Sequence, residues 1–356
     1  MANSPLTTWP GLLTALTVAA SAAGLTATAL LTREQAPQAP PVTATVSGSG
    51  SSAQQGAMDA WRAEFRRVHP EVRVDYRPTS SGAGIAEFVA GGTAFAGSDV
   101  VMDPHQQALA DRRCRGRAVN LPMVIGPVAL AYNLPSVPRL KLSPTTLTGV
   151  FSGRVTRWDA PQIAAENPGV LLPHRPIRLF HRSDDSGTSH NLTSYLSAAG
   201  GWPYRPSSRW TGSGAGVKGS GGIAAAVAQT EGSIGYMEYR FAGDARLRTA
   251  SLRNPAGEFV ALSPESAGRA LDGARVSGYR GGLVVTMDQR ARTRGAYPLV
   301  LITYEIFCSG HRGAPARTFL DYTASDAGQS YLALCGYAPL PQDLLTRVRA
   351  RLGVTG

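Results

Sequence analysis

The chain has 356 residues, of which 43% are hydrophobic, with 40 glycines, 25 prolines and a formal net charge of +11 from 35 basic and 24 acidic side chains. That length supplies core for one large domain or two medium ones, and the scattered glycines and prolines exclude collagen and short repeat arrays. Arginine carries the excess charge. Its densest cluster, Arg112, Arg113, Arg115 and Arg117, is a short stretch without interleaved aromatics, so it reads as a solvated surface and not a nucleic-acid interface.

In chain order, residues 10–31 carry no charge and are long enough to span a membrane. Ala20-Ser21-Ala22 offers a signal-type cleavage pattern. Residues 1–32 therefore read as an export signal or an uncleaved membrane anchor, and the Pro- and Gln-rich residues 33–43 as a linker. No cysteine lies in the first 113 residues, so there is no site there for a lipid-modified cysteine. Export makes disulfides possible. Cys114, Cys308 and Cys335 allow one internal bridge at most and fit no zinc spacing; no metal or other cofactor is expected.

An alternation of strands and helices follows. Residues 42–48 alternate as a strand, and Met58, Trp61, Phe65 and Val68 recur at helical spacing within 53–68. Val72, Val74 and Tyr76 alternate as a second strand. Residues 84–91 read as a helix, 94–98 and 123–133 as strands, and 144–151 as a helix. Residues 177–182 read as a strand leading into a helix that carries Leu192, Tyr195 and Leu196. The apolar run 298–308 and a helix at 341–352 complete an α/β pattern.

Three of the strand-to-helix turns share one chemistry: Gly48-Ser49-Gly50-Ser51-Ser52, Thr79-Ser80-Ser81-Gly82-Ala83-Gly84, and Ser186-Gly187-Thr188-Ser189. A helix N-terminus carries unpaired N–H donors and a partial positive charge, which suits an anion. Glycine lets the backbone close around the ligand, and hydroxyls add donors. A single turn of this kind is ordinarily just an N-cap. Two lookalikes fail. Residues 48–53 end on Ala53, with no acid at the ribose distance, so they do not make a dinucleotide fingerprint. Residues 212–222 lack the Gly-Lys-Ser/Thr core of a phosphate loop and read as a flexible surface loop or a rim near the anion. The stretch "RSDDSGTS" at 182–189 also contains the residue types of a serine hydrolase. Its acids and histidines crowd into one segment, however, and no G-x-S-x-G elbow is present.

Taken together, "GSGSSAQQGAMDAW" (48–61), "TSSGAGI" (79–85), "FAGSD" (95–99), "LPMVIGPVALAYNLP" (121–135), "RSDDSGTS", "GSIGYMEYRFA" (232–242) and "YPLVLITYEI" (297–306) resemble, in order, the phosphate-binding proteins of bacterial ABC phosphate importers. The resemblance covers about residues 44–350. It implies a two-lobed, clam-shell periplasmic-binding-protein fold with two crossing strands, lobe I comprising 44–126 and 298–356 and lobe II 127–297. It places ligand contacts on Ser52, Ala53 (through its backbone N–H), Ser80, Asp99, Arg182, Ser186, Gly187 and Thr188, with Asp184 paired to the arginine and Asp185 left to solvent. It suggests a Cys114–Cys308 disulfide and a buried free Cys335, with Cys308–Cys335 as the rival pairing. The implied function is extracytoplasmic capture of inorganic phosphate by a monomer without enzymatic activity. Permease subunits would be the partners, and no nucleic acid is involved. A binding protein or sensor for another oxyanion is the alternative.

Overall fold

A computed structural model describes residues 42–353. The apolar run at 10–31 and almost all of the expected linker lie outside the described residues. No helix among the described residues is long and apolar enough to cross a membrane.

The strand β1 (Ala44–Ser51) leads through a single 3-10 turn into α1 (Gln55–Val68), and β2 (Val72–Thr79) leads into α2 (Ser81–Val89). Next come β3 (Phe95–Ser98), α3 (Pro104–Cys114) and the long strand β4 (Ala118–Asn133). After α4 (Pro144–Phe151), the second half is built on β5 (Arg178–Arg182), α5 (Gly187–Ala199), β6 (Ala215–Val217), α6 (Gly219–Gln229) and β7 (Ser233–Glu238). The chain returns to the first half in β8 (Val300–Cys308) and ends in α7 (Gln342–Leu352).

The main sheet runs β2-β1-β3-β8-β4-β7-β5-β6, with the short strand Arg248–Thr249 also pairing with β4. β1 is parallel to β2 and β3, and β7 is parallel to β5. Between these parallel sets, β4 pairs antiparallel with β8 over Ala118–Pro127 and then with β7 over Val128–Asn133. One 16-residue strand thus belongs to both lobes. The sequence pattern suggested a shorter strand, 123–133, on its apolar run; Pro122, just before it, and Pro127, within it, cannot donate to a ladder. The structure puts Pro122 at the register shift opposite Tyr304 and Pro127 at the end of the β8 ladder, where the loss of a donor is tolerated.

The predicted apolar face of α1 packs as read except at Val68, the last residue of the helix, which is exposed. Met58, Trp61 and Phe65 of α1 are fully buried, each contributing about 1.5–3 kcal/mol, and the Trp61 indole N–H donates to the Gly328 carbonyl at 2.7 Å. Asp103 begins α3 with a capping box to Gln106. At the other end of α3, Cys114 is bonded to Cys308 at the end of β8, with Cα atoms 5.3 Å apart. The rival pairing with Cys335 is not formed. Cys335 is free, and it is half-buried where full burial was expected.

Candidate functional site

The carboxyl ends of the parallel strands in both lobes converge on one cleft, the usual place for a ligand in an open α/β sheet. Ser51 ends β1, Thr79 ends β2 and Asp99 follows β3; Arg182 and Glu238 end β5 and β7. Each handover exposes the first turn of a helix. Ser80 caps α2 by accepting from Ala83 N–H at 3.3 Å, and Ser186 caps α5 by accepting from Ser189 N–H at 3.4 Å. Ser52, Ala53, Ser80, Asp99, Arg182, Ser186 and Thr188 are all buried.

Asp99 is the centre of the lobe I wall. Its Oδ2 accepts the hydroxyls of Ser51 at 2.7 Å and Ser81 at 3.3 Å, and its Oδ1 accepts that of Thr303 at 2.8 Å. Thr303 stands at the register shift of β8, where a bulge re-aims a side chain. A carboxylate offers about four acceptor sites, so these three bonds leave capacity for one further donor. Burial and the nearby charge of Glu238 push the Asp99 carboxyl up to about 7, against the Ser51 and Thr303 hydroxyls and Arg182, which favour the charged form.

Arg182 is the centre of the opposite wall. Its Nε and Nη2 donate to the two Asp184 oxygens at 2.7 and 2.6 Å, and its Nη1 donates to Ser220 Oγ at 3.0 Å. Of five guanidinium N–H groups, two remain. Burial works against the charge of Arg182, but the bidentate bond and charge of Asp184 outweigh it and hold the guanidinium above its ordinary value. Burial likewise opposes ionisation of Asp184, and the bond to Arg182 overcomes it, so that carboxyl lies below the usual range.

The two walls touch. Ser52 Oγ lies 3.2 Å from Ser220 Oγ, Asn191 Nδ2 donates to the Asp99 carbonyl at 2.9 Å, and Gly82 N–H donates to the Asp185 carbonyl at 3.2 Å. At Gly187 a Cβ would sit 2.5 Å from Ser81 Oγ and 2.6 Å from Asp99 Cβ, so only glycine permits this approach. A cavity of about 930 Å³ has Asp99, Met102, Asp185, Asn191 and Tyr304 among its lining residues, which brings space for a solute up to the buried network.

All the residues singled out from the sequence therefore gather at this cleft, with two differences of detail. Ala53 N–H donates to Ser51 Oγ at 3.0 Å. Asp185 is half-buried beneath Gly82 and not simply solvated. Sequence reasoning placed Ser51 and Ser81 in the anion-type turns without giving either a role of its own, and it missed Ser220, Glu238 and Thr303. Ser220 carried a readable signal: "KGSGGIAAAVA" is a fourth Gly/Ser turn before an apolar helix, in the segment read as a flexible loop or a rim near the anion. Thr303 carried none, since an apolar strand does not reveal a bulge. Glu305, also on β8, is fully buried with neither oxygen hydrogen-bonded. Burial holds it well above the usual carboxyl range; Gln54 opposes this and the charge of Asp99 adds to it.

The family model of the PBP superfamily domain matches residues 35–327. Phosphate-binding protein PstS3 of Mycobacterium bovis is 40% identical to this chain over 314 residues, 85% of either protein. The chain belongs to the PstS phosphate-binding proteins. A more distant relative, phosphate-binding protein PstS of Xylella fastidiosa, is 31% identical over 316 residues, 86% of this chain and 84% of that protein. Two solved structures share the fold. One is a high affinity periplasmic phosphate-binding protein bound with phosphate at pH 8.5, with TM-score 0.68, 23% identity and coverage of 86% and 93%. The other is the phosphate binding protein from Stenotrophomonas maltophilia, with TM-score 0.64, 20% identity and the same coverage. The two-lobed fold read from the motifs is thereby established.

Proposed function

We propose that the protein binds inorganic phosphate outside the cytoplasmic membrane and hands it to an ABC permease, without chemical turnover. The observation that carries this reading is the pairing of one buried acceptor, Asp99, with a wall of donors. Arg182 supplies two unused N–H groups in a planar fork suited to oxyanions. The first turns at Ser52-Ala53, Ser80 and Ser186-Gly187-Thr188 supply backbone N–H groups and hydroxyls. Asp184 holds the fork and offsets its charge.

Phosphate near neutral pH retains a proton, since even a phosphate monoester has a second pKa of roughly 6. That proton meets the free lone pair on Asp99. Sulfate brings no proton and would face a bare carboxylate. An unpaired buried acceptor costs about 1–3 kcal/mol, more when charged, which gives Asp99 its selectivity.

Lobe I comprises 44–126 and 298–356 and lobe II 127–297, with β4 and the segment before β8 as the crossings. Residues 1–32 export or anchor the protein, residues 33–43 are the tether, and the protein acts as a monomer. A serine hydrolase is disfavoured because the Ser186 hydroxyl serves as a helix cap, while His181 stacks on Trp210 and its Nδ1 faces the Arg182 carbonyl at 3.0 Å. The test is equilibrium binding of phosphate to the phosphate-free protein. Wild type binds, and Arg182→Ala and Asp99→Asn lose most of the affinity; a wild type that does not bind phosphate refutes the proposal.

A further inference from the structure

The function proposed above leaves the arginine cluster at 112–117 unused, and the fold enlarges it. Arg112 is exposed on the last turn of α3, and Arg115 and Arg117 are exposed just beyond it. The disulfide from Cys114 to Cys308 brings the segment after β8 alongside. There Ser309 N–H donates to the Arg117 carbonyl at 2.9 Å, and Arg312 Nη1 donates to the Arg113 carbonyl at 3.5 Å. A third segment joins from the hairpin of strands Arg275–Tyr279 and Gly282–Thr286, where a Cβ on Gly281 would lie 3.8 Å from Arg117 Cδ. Its neighbour Arg280 is exposed, as is Arg312. Guanidinium groups from three stretches far apart in sequence thus share one end of lobe I. Asp111 is the acid among them; its Oδ2 pairs with Arg280 at 3.3 Å, and its Oδ1 accepts from Ala118 N–H at 2.9 Å. Among the described residues, Arg112, Arg115, Arg117 and Arg312 form no ion pair. Arg115 and Arg280 also have left-handed backbones, with φ of 48° and 46°. Glycine is sterically easier there, and the chain carries arginine instead.

This end of the lobe faces away from the cleft. Phe307 of β8 pairs with Phe95, the first residue of β3, whereas Asp99 follows the last. Gly48 of the parallel strand β1 also pairs with Phe95, so Ala44, where β1 begins, lies further in the same direction. The linker expected at 33–43 therefore joins lobe I at the arginine end. We propose that this end binds the anionic phospholipid headgroups of a membrane surface. The planar guanidinium fork suits phosphate oxygens, and a cluster of arginines is drawn to an anionic bilayer by charge alone. A protein partner would look for apolar or aromatic anchors at the centre of the interface, and none of the exposed large apolar side chains comes from these three segments. An anchor in residues 1–32 would hold the arginines against the bilayer, because the linker arrives at the same end. The cleft stays free, so the proposal does not depend on phosphate binding.

The experiment is co-sedimentation of the full chain with vesicles of phosphatidylcholine alone or mixed with phosphatidylglycerol, read as the ratio of the two partition coefficients. The uncharged run at 10–31 adds equally to both and cancels in the ratio. At about 0.1 M salt the wild type prefers the mixed vesicles by at least about a hundredfold. The preference disappears at about 1 M salt, where the screening length has fallen from about 10 Å to about 3 Å. The triple variant Arg115→Gly, Arg117→Ala, Arg312→Ala loses about fivefold for each arginine removed. A second triple variant, Arg66→Ala, Arg205→Ala, Arg292→Ala, removes exposed arginines outside these segments; it has the same net charge and keeps the preference. Should the first variant fail to fold, Arg115→Gly alone, which relieves the left-handed backbone, shows the fivefold loss. Equal partition of the wild type into both kinds of vesicle overturns the proposal. So does equal loss in the two triple variants, which would leave net charge as the cause.

Discussion

Replacing Asp99 by asparagine should make the ligand-free protein more stable at alkaline pH, although it removes the acceptor proposed above to select the ligand. The carboxyl rises from the ordinary 3.8 to about 7 in the fold, first through burial and then through Glu238. Between those values the folded state holds more protons than the unfolded chain, so this group's contribution to stability falls as pH rises and levels off above about 7. A shift of about three units corresponds to at most about 4 kcal/mol. Asparagine does not titrate, but only one of its two terminal atoms accepts, so it cannot keep the Ser51 and Ser81 bonds to Oδ2 together with the Thr303 bond to Oδ1, a loss of about 1 kcal/mol per bond. The net expectation is that Asp99→Asn is more stable by about 2–3 kcal/mol at pH 8.5 and less stable by about 1 kcal/mol at pH 4.5. At roughly 1.5 °C per kcal/mol for a chain of this size, the melting curves of the two phosphate-free proteins cross near pH 5–6 and separate by about 3–5 °C at the alkaline end. Melting temperatures that run parallel across this range would refute a strained, partly protonated Asp99.

Other consequences can be read in the same way. Arg182→Ala leaves Asp184 without its partner in a largely buried position, and chemical denaturation should show a loss of about 3–5 kcal/mol; Asp184→Asn should cost less, because Arg182 keeps Ser220 and the ligand. Gly187→Ala places a methyl group against Ser81 and Asp99; titration should show phosphate affinity reduced at least tenfold, with the melting temperature little changed if the two lobes simply stay further apart. The Cys114–Cys308 bridge spans 194 positions, so the double change to serine should lower stability by about 2–5 kcal/mol, measured by denaturant unfolding. Disulfide mapping of the wild type should find Cys335 alkylated and the other two joined.

Much of this site was legible because its chemistry is local. A Gly/Ser turn before an apolar helical period announces a helix N-terminus wherever it occurs, and the turns at 48–52, 79–84 and 186–189 all reach the cleft. The pair Arg182–Asp184 is two residues apart and could be read from one stretch. What could not be read is the tertiary placement of single polar groups within apolar strands. Thr303 reaches Asp99 at a register shift in β8, and the roles of Glu305, inside β8, and Glu238, at the end of β7, show only once the fold buries them. β4 was read too short at its start, where Pro122 interrupts the apolar run but in the fold sits at the register shift with β8. Ser220 was within reach of the same rule that found the other turns. The glycine run around it suggested a flexible loop, and its role became visible only when Ser52 and Arg182 met it.

The most direct test of the account is a calorimetric titration of phosphate into the phosphate-free protein at neutral pH in a large excess of sulfate. The structure predicts saturable binding of one phosphate per chain, with an affinity that sulfate does not alter, since sulfate has no proton for Asp99. Displacement by sulfate, or no saturable binding of phosphate at all, would contradict the assignment of Asp99 as the selecting acceptor.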